Sequence, residues 1–385
     1  MNTGFAQCAW GASTCSRRNF LQTSAGVLLA TQTAAWGGKS ATLPLRPQGA
    51  IYIPARAYNA YQAWQHYNHN TTQRDVRFAR SLNLNALRVW LSYEFWLYDP
   101  HELQRRFMDL LTICSAAEIR LMPVLFEGDG VEPTALNIAD TSPLRASDIL
   151  SPSTDVVGNR RLWKKPLRFV DWFMRHFRDD RRLLAIEINN EPFGHARHLF
   201  AYSMMSHAAK ERGAVPLSIG GTNLAQSRAF IDAGADILQT HPDFLASRRQ
   251  MDMVIQHILA AEKFLKHPVW ISEWQRVRSG ASGWGRKALG INQWQPDYAS
   301  LAPTIRRARV GNFFWSLMLK PAWLLAQRRK GTLNGVFHED GAVWSLADAR
   351  AISGNADFHA VERKAWPHWA RSIPKSLGLP EIISS

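Results

Sequence analysis

The sequence predicts an α/β fold, a single-domain (β/α)8 TIM barrel. Eight short apolar runs, each followed by a stretch with helical periodicity, predict it. Strict alternation argues for a parallel sheet, and the count of eight argues for closure. The fourth and seventh runs each stop at a glutamate, and strand C-termini are where such a barrel places its chemistry. No internal repeat or second domain interrupts the pattern, and 385 residues at 46% hydrophobic and 20% charged suit one large globular body.

The first strand is predicted at 50–54, followed by a loop carrying Tyr58, Tyr61, Trp64, His66, Tyr67 and His69. A helix over 72–82 leads to the second strand, 85–91, which contains Arg88 and Trp90. Over 101–119, Leu103, Phe107, Leu110, Leu111 and Cys114 form the apolar stripe of an amphipathic helix. The third strand is 120–126. A long irregular stretch, 127–165, is rich in Pro, Ser, Asp and Gly, and connections of that length are usually functional or mobile. The next helix, 166–177, keeps Phe169, Trp172, Phe173 and Phe177 on one side. The fourth strand reads LLAIEINNEP, an apolar run from Leu183 ending at Asn189-Asn190-Glu191-Pro192. Helix 197–212, strand 215–219, helix 226–233 and strand 236–241 follow. Helix 251–265 precedes the seventh strand, Val269-Trp270-Ile271-Ser272-Glu273. Helix 298–309 leads to the eighth strand, 312–316, ending at Trp315 and Ser316. A last helix is predicted at 345–352. The organisation is therefore a signal at 1–35, a linker at 36–49, the barrel at 50–355 and a Trp-containing, Pro-punctuated tail at 356–385.

Ser16-Arg17-Arg18-Asn19-Phe20-Leu21-Gln22 resembles a twin-arginine export motif, and the small apolar run Ala25-Gly26-Val27-Leu28-Leu29-Ala30 follows it. Cleavage is expected near Ala34 or Ala35. The resemblance implies the twin-arginine export machinery as a partner and a periplasmic or secreted destination. Polar residues at Gln22, Thr23, Ser24, Thr31, Gln32 and Thr33 leave no stretch of the roughly 20 apolar residues that a membrane span needs. The formal charge of +15 comes from scattered basic residues without a nucleic-acid motif, so no nucleic-acid partner is expected. Cys8 and Cys15 fall in the signal, which leaves Cys114 alone on its helical stripe as a core residue.

Retaining glycoside hydrolysis needs one carboxylic acid to protonate the leaving oxygen. It needs a second carboxylate, roughly 5–5.5 Å away, to attack the anomeric carbon. Strands four and seven lie nearly opposite each other in an eight-stranded barrel, so Glu191 and Glu273 can face one cleft. Asn190-Glu191-Pro192 ending the fourth strand and Glu273 ending the seventh resemble clan A glycoside hydrolases, most nearly the cellulase-like family 5 group. That resemblance spans about 51–352. It implies Glu191 as acid/base, Glu273 as nucleophile and Asn190 as a partner of the sugar 2-hydroxyl. It also implies that Arg88 keeps the nucleophile ionised, that His241 lines the cleft and that Trp315 forms the floor under the sugar. The implied substrate is an oligo- or polysaccharide, a β-1,4-type mannan, xylan or glucan, with no cofactor. By strand alternation Glu187 shares a face with Glu191, sits inside the barrel and calls for a cation, for which Arg88 is the candidate. The same alternation points Asn190 away from Glu191, so the backbone must turn at the strand end.

Two features depart from the resemblance. Many relatives carry Tyr shortly after the strand-six His, touching the nucleophile; here the run is His241-Pro242-Asp243-Phe244, and Tyr93 or Tyr202 are the loop residues available instead. Strand three often ends near a His; here it ends Phe126-Glu127-Gly128-Asp129. Tyr58, Tyr61, Trp64, Trp90, Tyr93, Trp96, Trp274 and Trp284 are candidate sugar platforms, with core packing as the rival role. Glu127, Asp129 and Glu132, or His66 and His69, match no strong metal motif, and no metal is expected. The alternative to an enzyme is a non-catalytic glycan-binding envelope protein that kept the barrel; a barrel metallohydrolase is a third reading.

Overall fold

Strands form where the apolar runs lie. In a computed structural model, which describes residues 46–278 and 294–379, they are β1 (Gln48–Ile51), β2 (Ala86–Trp90), β3 (Arg120–Glu127), β4 (Ile186–Asn190), β5 (Leu217–Gly220), β6 (Leu238–Thr240), β7 (Val269–Trp274) and β8 (Asn312–Phe314). All pair in parallel, in the order β5-β4-β3-β2-β1-β8-β7-β6. A parallel bridge between Ser218 and Ile237 links the two end strands, so the sheet curls into a barrel. Both faces are covered, which is why the strands read as near-continuous apolar runs rather than alternating ones.

One framework helix follows each strand: α1 (His69–Ser81), α2 (Pro100–Ala116), α3 (Lys164–Phe177), α4 (Gly194–Lys210), α5 (Ser227–Ala233), α6 (Arg248–Leu265), α7 (Ala302–Ala308) and α8 (Leu346–Ser353). Their starts carry the expected caps. The Asn68, Asp99 and Ser247 side chains accept the amides of Thr71, Glu102 and Gln250. The expected helix at 298–309 begins only at Ala302, and the Tyr298 and Ala299 amides ahead of it donate to Asp348 Oδ1.

The apolar side chains fall into two layers. The larger lies between strands and helices and includes Phe107, Phe169, Phe173, Phe177 and the buried Cys114. The smaller fills the barrel itself with Ile51, Met122, Val124, Leu184, Trp270 and Phe313, and rises to Trp90, Trp315 and Trp323 near the site. Such a barrel is a packed core rather than a pore.

Several short elements lie outside the eight-fold pattern. Helices Ala60–Gln65 and Tyr93–Tyr98 follow β1 and β2, and Ala135–Ala139 and Thr154–Gly158 punctuate the long stretch after β3. After β8 the chain makes a small antiparallel pair, β9 (Lys320–Pro321) with β10 (Leu333–Asn334). The tail returns to pack Trp366, Ala370 and Ile373 against Leu319, Leu333 and Trp344. Among the described residues no helix is long and apolar enough to cross a membrane. The twin-arginine motif, the cleavage site and Trp284 lie outside the described residues.

Candidate active site

Arg88, on β2, is the keystone of the cleft floor and is fully buried. Its Nε and Nη2 donate to the two Glu187 oxygens at 2.8 and 2.6 Å, a fork-to-fork pairing inside the barrel. Nη2 also donates to Asn190 Oδ1 at 2.7 Å, and Nη1 reaches Glu273 Oε2 at 3.2 Å. Glu187 therefore has the cation that its inward position calls for. Arg88 serves the nucleophile candidate with its remaining arm. The guanidinium also lies 4.5 Å from the Trp90 ring centre.

The floor continues through Asn190 to Glu127, the last residue of β3. Asn190 Nδ2 donates to both Glu127 oxygens at 3.0 and 3.1 Å, the Trp90 indole N–H to Oε2 at 2.5 Å, and the Asp129 amide to Oε1 at 2.8 Å. Glu127 occupies the strand-three end where a His is common among relatives. It belongs to the site rather than to a metal cluster with Glu132, which instead accepts the Thr154 amide.

The turn required after Asn190 is present. Glu191 has φ +40°, a left-handed conformation unusual for a residue with a side chain, and the β4–β5 register shifts between Glu187 and Asn190. Asn190 and Glu191 consequently both face the cleft. The turn is packed tightly from below: a Cβ added at Gly128 would come within 2.0 Å of the Glu191 carbonyl oxygen. One added at Gly220 would come within 2.3 Å of Glu187 Oε1.

Glu191 Oε1 lies 2.5 Å from His241 Nδ1, and His241 Nε2 lies 2.8 Å from Ser272 Oγ. Burial drives the His241 pKa down to about 4, so the imidazole is neutral and orients rather than carries charge. Burial first, then the Asp129 charge, raises Glu191 to about 8. Burial also raises Glu273, to about 7; with His241 uncharged above pH 4, Arg88 is the cation opposing that rise. Donor atoms of Glu191, His241 and Glu273 lie within 4.8 Å of one another, the one grouping of that kind among the described residues. The three side chains thus meet at one point of the cleft.

Trp315, after β8, lines the cleft and meets Trp90 and Trp323 edge-on, with ring centres 5.9 and 5.8 Å apart. The Tyr298 hydroxyl donates to its carbonyl. Trp323 and Gln327, from the connection between β9 and β10, with Asn334 of β10, complete one wall of the cleft. Asp129, Asp148, Asp243 and Gln275 also face it.

Of the candidate platforms, Trp90 alone lines this cleft among the described residues. Tyr58, Trp64 and Tyr93 are buried in packing. Tyr61 meets Phe95, and Trp96 lies between Phe169 and Trp172. Trp274 follows Glu273 and so points to the opposite face of β7, where its indole N–H donates to Asn312 Oδ1. Neither Tyr93 nor Tyr202 approaches the nucleophile candidate, since both pack into the outer core. His69 pairs with Asp109 at 2.9 Å, away from the cleft. The residues that sequence reasoning missed are Asp148, Asp243, Gln275, Trp323, Gln327 and Asn334. Asp243 alone had a signal, its place after His241 where a tyrosine is common.

No family model and no curated protein matches the chain in sequence. Solved structures share its fold. The exo-β-1,4-mannosidase Op5Man5 from Opitutaceae bacterium strain TAV5 aligns at TM-score 0.60 and 15% identity, over 85% of this chain and 62% of that one. The present chain thus spans less than two thirds of that protein's length. A glycoside hydrolase family 5 mannosidase from Rhizomucor miehei aligns at TM-score 0.56 and 12% identity, over 82% and 93% of the two chains. The GH5_18 structure from Streptomyces cattleya in complex with GlcNAc aligns at 0.56 and 10% identity, over 82% of each. The chain shares the (β/α)8 fold of these structures.

Proposed function

We propose that the protein is a retaining glycoside hydrolase acting on β-linked glycans. The observation that carries the proposal is the approach of Glu191 and Glu273 oxygens to within 4.8 Å across one cleft. That closeness supports direct attack by a carboxylate, the retaining arrangement.

Glu191 enters as the acid. Its raised pKa keeps it protonated at neutral pH. With the neutral His241 ring donating Nδ1–H to Oε1 and accepting from Ser272 at Nε2, the Glu191 proton sits on Oε2, free for the leaving oxygen. Glu273 titrates lower, beside Arg88, and attacks the anomeric carbon. The departing alcohol takes the Glu191 proton and a glycosyl ester forms on Glu273. Glu191, now ionised, then removes a proton from water as that water cleaves the ester. Asn190 lies beside both carboxyls, within reach of a sugar 2-hydroxyl, and the Trp90–Trp315–Trp323 cluster offers apolar faces to the ring.

The mannosidase names of the structural neighbours favour a β-mannoside or a β-1,4-mannan as the first substrate to try, ahead of xylan and glucan. Export through the twin-arginine route would bring the folded enzyme to envelope or extracellular polysaccharide. The test is a hydrolysis screen over mannan, xylan, glucan and anionic envelope polysaccharides, with proton NMR of the first product. Release of the β-anomer from a β-linked substrate supports the reading; initial release of the α-anomer contradicts it.

A further inference from the structure

We infer that Asp243 is a positioning residue for Glu273: a neutral carboxylic acid that donates its O–H to the nucleophile's carboxylate. The inference rests on the glycosidase reading for the role of Glu273, and on local geometry for the rest. Asp243 lines the same cleft as Glu273, and the two carboxyls lie within hydrogen-bond reach of each other. Two carboxylates in contact cannot both be ionised at low cost, so one proton is held between them.

The surroundings decide which group keeps it. Glu273 has Arg88 at 3.2 Å. Asp243 forms no ion pair among the described residues, and its Oδ1 is shut off from solvent with no N–H or O–H pointed at it, although part of the residue is exposed. Of its neighbours only the Gln275 side chain hydrogen-bonds the carboxyl in favour of the ionised form, and no cation offsets its burial. The groups facing it are Glu273 of β7, Gln275 just after that strand, Glu191 from the end of β4 and the more distant Tyr298 hydroxyl. None is a cation. The neighbouring His241 is neutral. Burial and the Glu273 charge push the Asp243 carboxyl well above the usual range, in keeping with the neutral form.

The segment is also built to hold that contact. His241 is tied to β7 through Ser272, and the Asp243 amide donates to the His241 carbonyl at 3.0 Å. Phe244 takes a left-handed turn at φ +53° and donates its amide to the Gln275 carbonyl at 2.8 Å. Asp243 is thus clamped between two attachments to the strand that carries Glu273. An O–H donated to Glu273 fixes the carboxylate's orientation and stabilises it as the leaving group when the glycosyl ester is cleaved.

Asp243→Asn and Asp243→Ala test this, each checked for an unchanged unfolding midpoint. An amide is neutral and still donates. Asp243→Asn should keep kcat within about fivefold of wild type and leave the acidic limb of the kcat/KM profile in place. Asp243→Ala should lose roughly 10–100-fold in kcat with little change in KM. An acidic limb displaced downward by a unit or more in Asp243→Asn would mean that an ionised group had been removed, and would overturn the inference. Full activity in Asp243→Ala would overturn it too. Infrared difference spectra of wild type against Asp243→Asn give a readout without turnover: a protonated-carboxyl band lost in the variant supports the assignment, and a lost carboxylate band refutes it. Failure of the wild type on every glycan, with that protonated band present, would count against the glycosidase reading and not against this one.

Discussion

The floor of the cleft and its mouth are both made of glutamates at strand ends, yet the two regions differ in what surrounds them. On the floor, Glu187 takes the Nε–Nη2 edge of the Arg88 guanidinium, and Glu127 accepts N–H groups from Trp90, Asn190 and Asp129. At the mouth, Glu191 meets one neutral imidazole, and Glu273 has one arm of Arg88 and a second carboxyl beside it. A carboxylate surrounded by donors is held in one orientation. One left short of donors has a pKa that its neighbours can move into the working range. The comparison teaches that burial alone does not pick out the reacting acids, since all four are buried or nearly so and burial, with the Asp148 charge, also pushes Glu127 well above the usual carboxylate range; what sets Glu191 and Glu273 apart is how few donors tie their oxygens down.

Removing the mouth residues should affect turnover and spare the fold. Glu273→Ala is expected to lower kcat by on the order of 10⁴-fold or more, with thermal unfolding unchanged within a degree or two. Glu191→Ala should cost about 10²–10⁴-fold on glycan substrates, and far less on aryl glycosides whose leaving group needs no proton. Equal losses on both substrate types would deny Glu191 the acid role. Removing the floor should do the reverse in kind. Arg88→Met strands Glu187 without its partner and is expected to destabilise the fold by about 3–5 kcal/mol in denaturant titration. Arg88→Lys should not restore it, because an ammonium cannot serve two carboxylates and an amide in the fork geometry. An Arg88→Met protein as stable as wild type would erase the distinction between the two regions.

The smallest effect is on pH dependence. Activity needs Glu273 ionised and Glu191 protonated, so kcat/KM should fall below about pH 7 and again above about pH 8. Stability should move differently. The folded protein holds protons on Glu191 and Glu273 that the unfolded chain, titrating near the ordinary carboxylate range, has already released. Their contribution is therefore complete in acid and is lost as pH rises toward 8. Half-buried Glu94, raised to about 7, adds to the same slope. Glu191→Gln should flatten part of it in unfolding measurements between pH 5 and 8; an unchanged slope would mean that Glu191 titrates normally.

Much of the fold was legible because buried parallel strands advertise themselves. The runs from Leu183 to Ile188 and from Val269 to Ser272 are apolar but for Glu187 and Ser272 and stop at polar strand ends, and every expected strand found its place within a few residues. The Arg88–Glu187 pairing was legible too, because alternation puts a lone acid inside the barrel. What was not legible depends on contacts between distant segments. Whether Tyr93 or Trp90 faces the cleft rests on the helix Tyr93–Tyr98 and on the backbone turn that ends β2. Trp323 and Asn334 reach the site through a two-residue strand pair with no periodicity to read. Asp243 stood where a tyrosine was looked for. Its partnership with Glu273 is set by the meeting of two strand ends, which neither segment encodes alone.

The most direct test of the paired-glutamate account is trapping with a 2-deoxy-2-fluoro glycoside of the sugar found in the hydrolysis screen, followed by intact mass and peptide mapping. The account predicts one glycosyl adduct per chain, on the peptide containing Glu273, and no adduct in Glu273→Ala. An enzyme that hydrolyses the parent glycan yet takes up no label, or that carries it on Glu127 or Glu191, would contradict it.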